Sequence, residues 1–350
     1  LRRVAASLTA GAMRVVLSCL LMLLFVPDWM GEPRLPLMGK RAVVRAAPIA
    51  LDAAHPARSR VGALVWLGGV RLTSPDRAFG GFSALHVARG HRVTLLSDGG
   101  NIVQFTLGPD WRPRAIAFGD LPAGPGTGWA KVDRDSESMG VDPRDGSVVA
   151  GFENSNMLWR YTPDLRRALG AAAPRAMAGW PGNEGAESFT FLPRAGWGGG
   201  AIAIGEQAPW PGGTGRAAFR FTGDPVREPN RGYRFSYIPP ARSDPSDMTV
   251  LPDGRLIVLN RRFTLPFTFT NTLVVIDRGA IRPGAVVRGR EIATLAPPLV
   301  HENFEGIAAT REGGRTILWL VSDDNQSVLQ RSLLLKFRLD APGTPGSARP

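Results

Sequence analysis

From residue 60 onward, short apolar runs alternate with clusters of Gly, Pro and Asp. Runs of this length, closed off by turn residues, predict strands rather than helices. No long stretch carries helical spacing. Leu165 to Ala178 is the best helix candidate, and it contains Pro174.

The runs recur as a unit. Each unit has an acidic or small residue, an apolar strand, a tight turn, and a second strand that ends in acidic or amide residues. The first unit is FGGFSALHVARGHRVTLLSD, with Ser83 at the key position and Asp98 at its end. The second has Glu137, the turn Asp145-Gly146 and Glu153-Asn154; the third has Glu187 and Glu206-Gln207. The fourth has Ser246-Asp247, the turn Asp253-Gly254 and Asn260-Arg261, and the fifth has Glu305, the turn Gly313-Gly314 and Asp323-Asp324. From Ser83 the key positions step by 54, 50, 59 and 59 residues through Glu137, Glu187, Ser246 and Glu305. A repeat of roughly 50 residues with several strands predicts propeller blades.

Later strands follow at Ile102–Leu107, Arg114–Phe118, Met157–Tyr161, Thr272–Ile276 and Ser332–Leu339. The fifth unit has no fourth strand after Leu339, and the run Ala63 to Leu72 can supply it. The expected fold is therefore all-β: a β-propeller of five or six four-stranded blades over residues 60–340, closed by an N-terminal strand. Residues 341–350 read as a tail, and the Pro- and Ala-rich residues 31–59 as a linker.

At the other end, Arg2, Arg3 and Arg14 precede the apolar run Val15 to Val26. Twelve residues suit the apolar region of a signal peptide better than a span of about 30 Å. Residues 1–30 thus predict export to the periplasm or beyond, with an uncleaved anchor to the inner membrane as the alternative. The chain has one Cys, Cys19 within this run, so no disulfide framework is possible.

Charge adds less. The formal net charge is +12, but it is almost all scattered Arg, and no nucleic-acid motif is present. The lysines are Lys40, Lys131 and Lys336, none within an acidic motif. Four His without ligand spacing, no G-x-S-x-G elbow and no phosphate-loop fingerprint argue against a zinc enzyme, a serine hydrolase and a nucleotide binder. His301 is the only His beside an acidic motif, and Ser138 and Ser188 are expected to face neighbouring strands.

The hairpins bring the start of each first strand and the end of each second strand to one side. With the first strand innermost, the key acids gather around one mouth of the channel. Asp133, Asp135, Glu184 and Glu302 are expected near the same rim. Crowded carboxylates need counter-charge. Oxygen ligands alone favour Ca²⁺, with Asp98, Glu137, Glu153, Asn154, Glu187, Glu206, Asp247, Asn260, Glu305 and Asp323 as candidate ligands. Alternatively Arg134, Arg261, Arg262 and Arg311 neutralise them.

The motifs FGGFSAL, LLSDGG, DSESM, NEGAES, PSDMTVLPDGRLIVLNR, ENFEGIA and WLVSDDN resemble the phytase-like family described as "esterase-like activity of phytase". The resemblance covers about residues 60–340. It implies a propeller, export and phosphoesterase activity, and in calcium-dependent propeller phytases clustered acids hold Ca²⁺ while Lys and Arg hold phosphate. Three functions are expected. The first is a Ca²⁺-assisted phosphoesterase for a small anionic substrate, with Glu137, Glu187, Glu305, Arg261 and Arg262 as catalytic candidates. The others are a metal-dependent lactonase and a non-catalytic binding propeller. A monomer without nucleic-acid partners fits each.

Overall fold

The computed structural model describes residues 2–25, 34–182 and 185–340, in two compact units that separate near residue 35. The first contains the helix Arg2–Phe25, which includes the apolar run from Val15 onward. Among the described residues no helix is long and apolar enough to cross a membrane.

The second unit is built of five small sheets. Blade one is Phe82–Ala88, Arg92–Ser97, Asn101–Leu107 and Pro113–Asp120, and blade two is Ser136–Val141, Val148–Phe152, Met157–Tyr161 and Ala168–Ala172. Blade three is Ser188–Phe191, Ala201–Pro209, Arg216–Phe221 and Gly232–Tyr237, with Val286–Val287 added in parallel at its edge. Blade four is Asp244–Val250, Leu256–Thr264, Thr268–Ile276 and Arg290–Leu295. Blade five is Asn303–Glu312, Arg315–Asp323 and Leu333–Leu339, followed outward by Leu64–Thr73 and Arg45–Pro48. The first strand of each blade packs against the first strand of the next, and that of blade five packs against that of blade one. The repeated first strands are therefore innermost.

Period-two side-chain alternation explains why the strands read as unbroken apolar runs. In blade four, Leu256 and Val258 join the cluster shared with blade three, while Ile257 and Leu259 join the cluster shared with blade five. In blade five, Leu318 and Leu320 face blade four, and Trp319 and Val321 face blade one. Two further clusters fill the junctions of blade two with blades one and three. Five blades thus share five apolar junctions, the count for a closed ring.

The hairpin turns fall where Gly permits left-handed backbone: Gly146 has φ 75° and Gly254 φ 87°. Near the start of four inner strands one extra residue interrupts the pairing. These bulged residues are Ser83, Glu137, Ser246 and Glu305. The repeated key position is therefore a β-bulge. In blade three, Glu187 immediately precedes the strand.

Two expectations are corrected. Leu165–Ala178 is not a helix; Ala168–Ala172 is the outer strand of blade two, paired with Met157–Tyr161. The open edge of that strand offers backbone partners, and Pro174 lacks the N–H a helix would use. Residues 31–59 do not behave as a linker where they are described. Arg45–Pro48 pairs with Leu64–Thr73, Leu51 is buried, and Asp52 bridges to Leu299.

Candidate functional site

In blades two and five the bulge residue is a Glu aimed into the axial cavity, whereas in blades one and four it is a Ser that donates to the next blade's inner strand, Ser83 to Ser136 O at 2.6 Å and Ser246 to Phe304 O at 3.1 Å. Where the bulge residue is Glu, it meets the acid that ends the second strand of the same blade. Blade two contributes Glu137 and Glu153, blade three Glu187 and Glu206, and blade five Glu305 and Asp323; blade one adds Asp98. Asp135 joins from the segment before blade two. These eight carboxyl groups line one cavity of about 360 Å³, together with Lys131, Gln207, Arg261 and Asn325.

Two cations hold the cluster. Arg261 comes from blade four, the blade that has Ser246 at the bulge. Its Nη2 lies 2.7 Å from Glu206 Oε1, and its Nη1 pairs with Glu305 and donates to Asn303 Oδ1 at 2.8 Å. Asn303 Nδ2 donates to Glu305 Oε1 at 2.9 Å. On the other side, Lys131 Nζ pairs with Asp135 and lies 3.1 Å from Asp98 Oδ2. Asn154 Nδ2 donates to Asp135 Oδ2 at 2.8 Å, so Asn154 supports the cluster from its edge.

Burial disfavours ionisation, and neighbouring carboxylates add to it. Burial, then Glu187 and Glu305, push Glu137 well above the usual carboxylate range. Burial, then Glu206, do the same for Glu187 despite Arg261. Glu153 is pushed up to about 7 by burial, then by Asp135 and Glu206. Asp323 is raised by burial and by Glu305. Burial would lower Arg261, but Glu305, Glu206 and Glu187 outweigh it and raise its pKa. Lys131 likewise rises against its own burial, through Asp98, Asp135 and Glu137. Two cations do not balance eight acids.

One oxygen from each of Asp135, Glu137 and Glu153 lies within 4.8 Å of the other two. An all-oxygen donor set at this spacing, in a field of excess negative charge, fits a hard divalent cation.

Four expected site residues do not line the cavity: Asn154, which only supports Asp135, and Asp247, Asn260 and Arg262. Asp247 is buried and turned away, accepting from Ile307 N and Met248 N, each at 2.7 Å. Asn260 accepts from the Tyr237 hydroxyl at 2.9 Å and donates to Val258 O and Thr272 O. Arg262 faces an adjoining groove. On the rim, Asp133 caps the Thr127–Trp129 loop, Glu302 pairs with Arg331, and Arg134 donates to Pro125 O. Arg311 lines a different cavity, and Glu184 lies outside the described residues. His301 Nδ1 lies 2.7 Å from Leu299 O, away from the acids. Ser138 does reach the next blade, donating to Ala186 O at 2.8 Å. Sequence reasoning missed Lys131, which sits among the acids although it is outside their motifs, and it missed Asn303 and Asn325. The only signal for Lys131 is its place four residues before Asp135.

A closed five-bladed propeller with an acid-lined axial cavity is thus the class of protein. A family model for the phytase-like family, "Esterase-like activity of phytase", matches residues 77–326, and the chain belongs to that family. No curated protein matches the chain. Among solved structures it is similar to hydrazine synthase of Kuenenia stuttgartiensis (10% identity, TM-score 0.36), with 71% of this chain and 58% of that one covered. It is also similar to an endo-arabinase of Bacteroides thetaiotaomicron (11%, TM-score 0.47, 74% and 94% covered). A gluconolactonase of Xanthomonas campestris gives 13% identity, TM-score 0.41, and 87% and 91% coverage.

Proposed function

We propose that the cavity is the active site of a hydrolase that cleaves a small anionic ester, a phosphoester in our reading, with a bound Ca²⁺. The observation that carries the reading is the charge imbalance: eight carboxyl groups against Lys131 and Arg261 in one solvent-open cavity. Asp135, Glu137 and Glu153 would hold the cation. When bound, it polarises an ester oxygen and lowers the pKa of an attached water.

The chain's own residues supply the rest. Glu187 keeps a proton to higher pH than an ordinary Glu, so it can deliver one to the leaving oxygen. Arg261, fixed by Glu206, Glu305 and Asn303, presents a preorganised positive charge to an anionic oxygen. Lys131 pairs with both Asp98 and Asp135 and so limits repulsion before a cation arrives. The arginines ahead of the apolar run at Val15 support export, and we read the propeller as a monomer. We also read Leu64–Thr73, paired with Leu333–Leu339, as the strand that closes the ring.

The test is hydrolysis of p-nitrophenyl phosphate, phytate and a simple lactone, with Ca²⁺ and with chelator. The reading expects phosphate release that chelator abolishes. Lactone opening without phosphate release moves the reading to a lactonase. A Ca²⁺-dependent melting shift with no turnover reduces it to a cation-binding propeller.

A further inference from the structure

Beside the acid cavity runs a groove of about 580 Å³ that shares Glu206, Gln207, Arg261 and Asn325 with it. Its far wall is different in chemistry. The second hairpin of blade four pairs Arg262 with Thr270, Phe263 with Phe269 and Thr264 with Thr268. The inner strand of the blade stops pairing at Asp244 opposite Arg261, so this hairpin tip extends past its own sheet. It carries Phe263, Phe267 and Phe269 into the groove, where the Phe263 ring lies 5.1 Å from that of Phe269 and 6.4 Å from that of Phe267. Leu329 faces them from the loop after Asp323. Phe267 is 69% exposed and Leu329 71% exposed, so this apolar wall is left in water.

The groove also holds cationic groups without partners. The side chains of Arg242 and Arg262 make no hydrogen bond or ion pair among the described residues, and Arg262 Nε is buried without an acceptor. The nearby acid Asp244 is already occupied by Arg216, whose Nε lies 3.0 Å from its Oδ1. Arg262 Nε is shut off from solvent, so an anionic oxygen in the groove would meet the terminal guanidinium nitrogens, which have no carboxylate partner.

We propose that the groove is the subsite for the apolar alcohol of the substrate. Resting on the hydrolase reading above, this assigns the substrate class as a phosphate monoester of an aryl or alkyl alcohol. The phosphate sits where the groove and acid cavity meet, within reach of Arg261 and Arg262, and the alcohol lies along Phe263, Phe267 and Leu329. A polyanion without apolar surface, such as phytate, uses only half of this site.

The experiment is calorimetric binding of methyl-, butyl- and hexylphosphonate, which are not hydrolysed, to the full chain with Ca²⁺ present. Each methylene laid fully on the wall tightens binding by roughly fourfold, the equivalent of about 0.8 kcal/mol. Hexyl- should bind at least about tenfold tighter than methylphosphonate. Phe267→Ser, at an exposed site where melting should not move, should flatten that trend. Arg262→Gln should weaken all three ligands alike. Equal affinities along the series, or a trend that survives Phe267→Ser, overturn the proposal. A clear trend in a protein that hydrolyses no ester upholds the groove and removes the hydrolase reading. Phosphate release without any chain-length dependence does the reverse.

Discussion

Two buried charge clusters in this propeller behave in opposite ways. At the axial cavity eight carboxyl groups face two cations, and burial drives several of them toward the neutral form. Between blades two and three, Asp142 and Asp224 face Arg144 and Arg160, two against two. Arg160 Nη1 lies 3.1 Å from Asp142 Oδ2, and its Nη2 lies 2.8 Å from Asp224 Oδ2. Arg144 Nη2 reaches the same two carboxylates at 2.6 and 2.9 Å. Burial would raise Asp142, yet Arg144 and Arg160 hold it down at about 2. In the balanced cluster, a structural lock, each carboxylate has two guanidinium partners, which outweigh its burial, whereas the axial acids are more deeply enclosed and outnumber their cations. The lock pairs both of its carboxylates within the protein and leaves only Arg160 Nε without an acceptor.

The largest expected effect is in the lock. Arg160→Met leaves two buried carboxylates short of a partner and should lower unfolding free energy by about 3–5 kcal/mol, read from the urea midpoint. Next comes the cation. Ca²⁺ at a hundredfold excess over Kd should stabilise the chain by about 2.7 kcal/mol, seen as a melting shift that chelator reverses; no shift would remove the metal from the reading. Smaller, and opposite in sign to the lock, is Glu137→Gln in chelator. Removing one crowded acid should stabilise by about 1 kcal/mol while abolishing the Ca²⁺ shift. Destabilisation by this variant without cation would show the cavity to be balanced after all.

The smallest effect is a pH slope in chelator. Glu153 has its folded pKa raised from 4.5 to about 7, so its contribution is full below 4.5 and is lost as pH rises through 7. Asp142 is lowered from 3.8 to about 2, so its contribution is full above 3.8 and is lost as pH falls through 2. Melting followed from pH 5 to 8 should therefore fall, by about 2 °C, and added Ca²⁺ should flatten the slope. A rising curve would contradict the direction assigned to Glu153.

Much of this was readable from residue order because bulge and hairpin recur with the blade. Ser83, Glu137, Glu187, Ser246 and Glu305 mark the inner strands in both descriptions. The errors have one geometric origin. Ser246, not Asp247, occupies the bulge of blade four, and a shift of one residue turns a side chain to the other face. The same offset separates Asn260 from Arg261. Asn260 pairs opposite Pro245 as Phe152 pairs opposite Ser136, so Arg261 takes the place that Glu153 has in blade two. Lys131 escaped notice for another reason. It sits in a short 3₁₀ turn, Lys131–Asp133, between blades, where no strand period announces which way a side chain points.

The bulges give the ring a modular quality. Each one is a socket whose occupant is set by a single codon and whose hairpin is held by apolar contacts elsewhere. Blades two and five carry Glu there and present a carboxylate to the pore, whereas blades one and four carry Ser and spend the position on a hydrogen bond to the next blade. Charge capacity in such a ring can drift blade by blade while the architecture stays fixed.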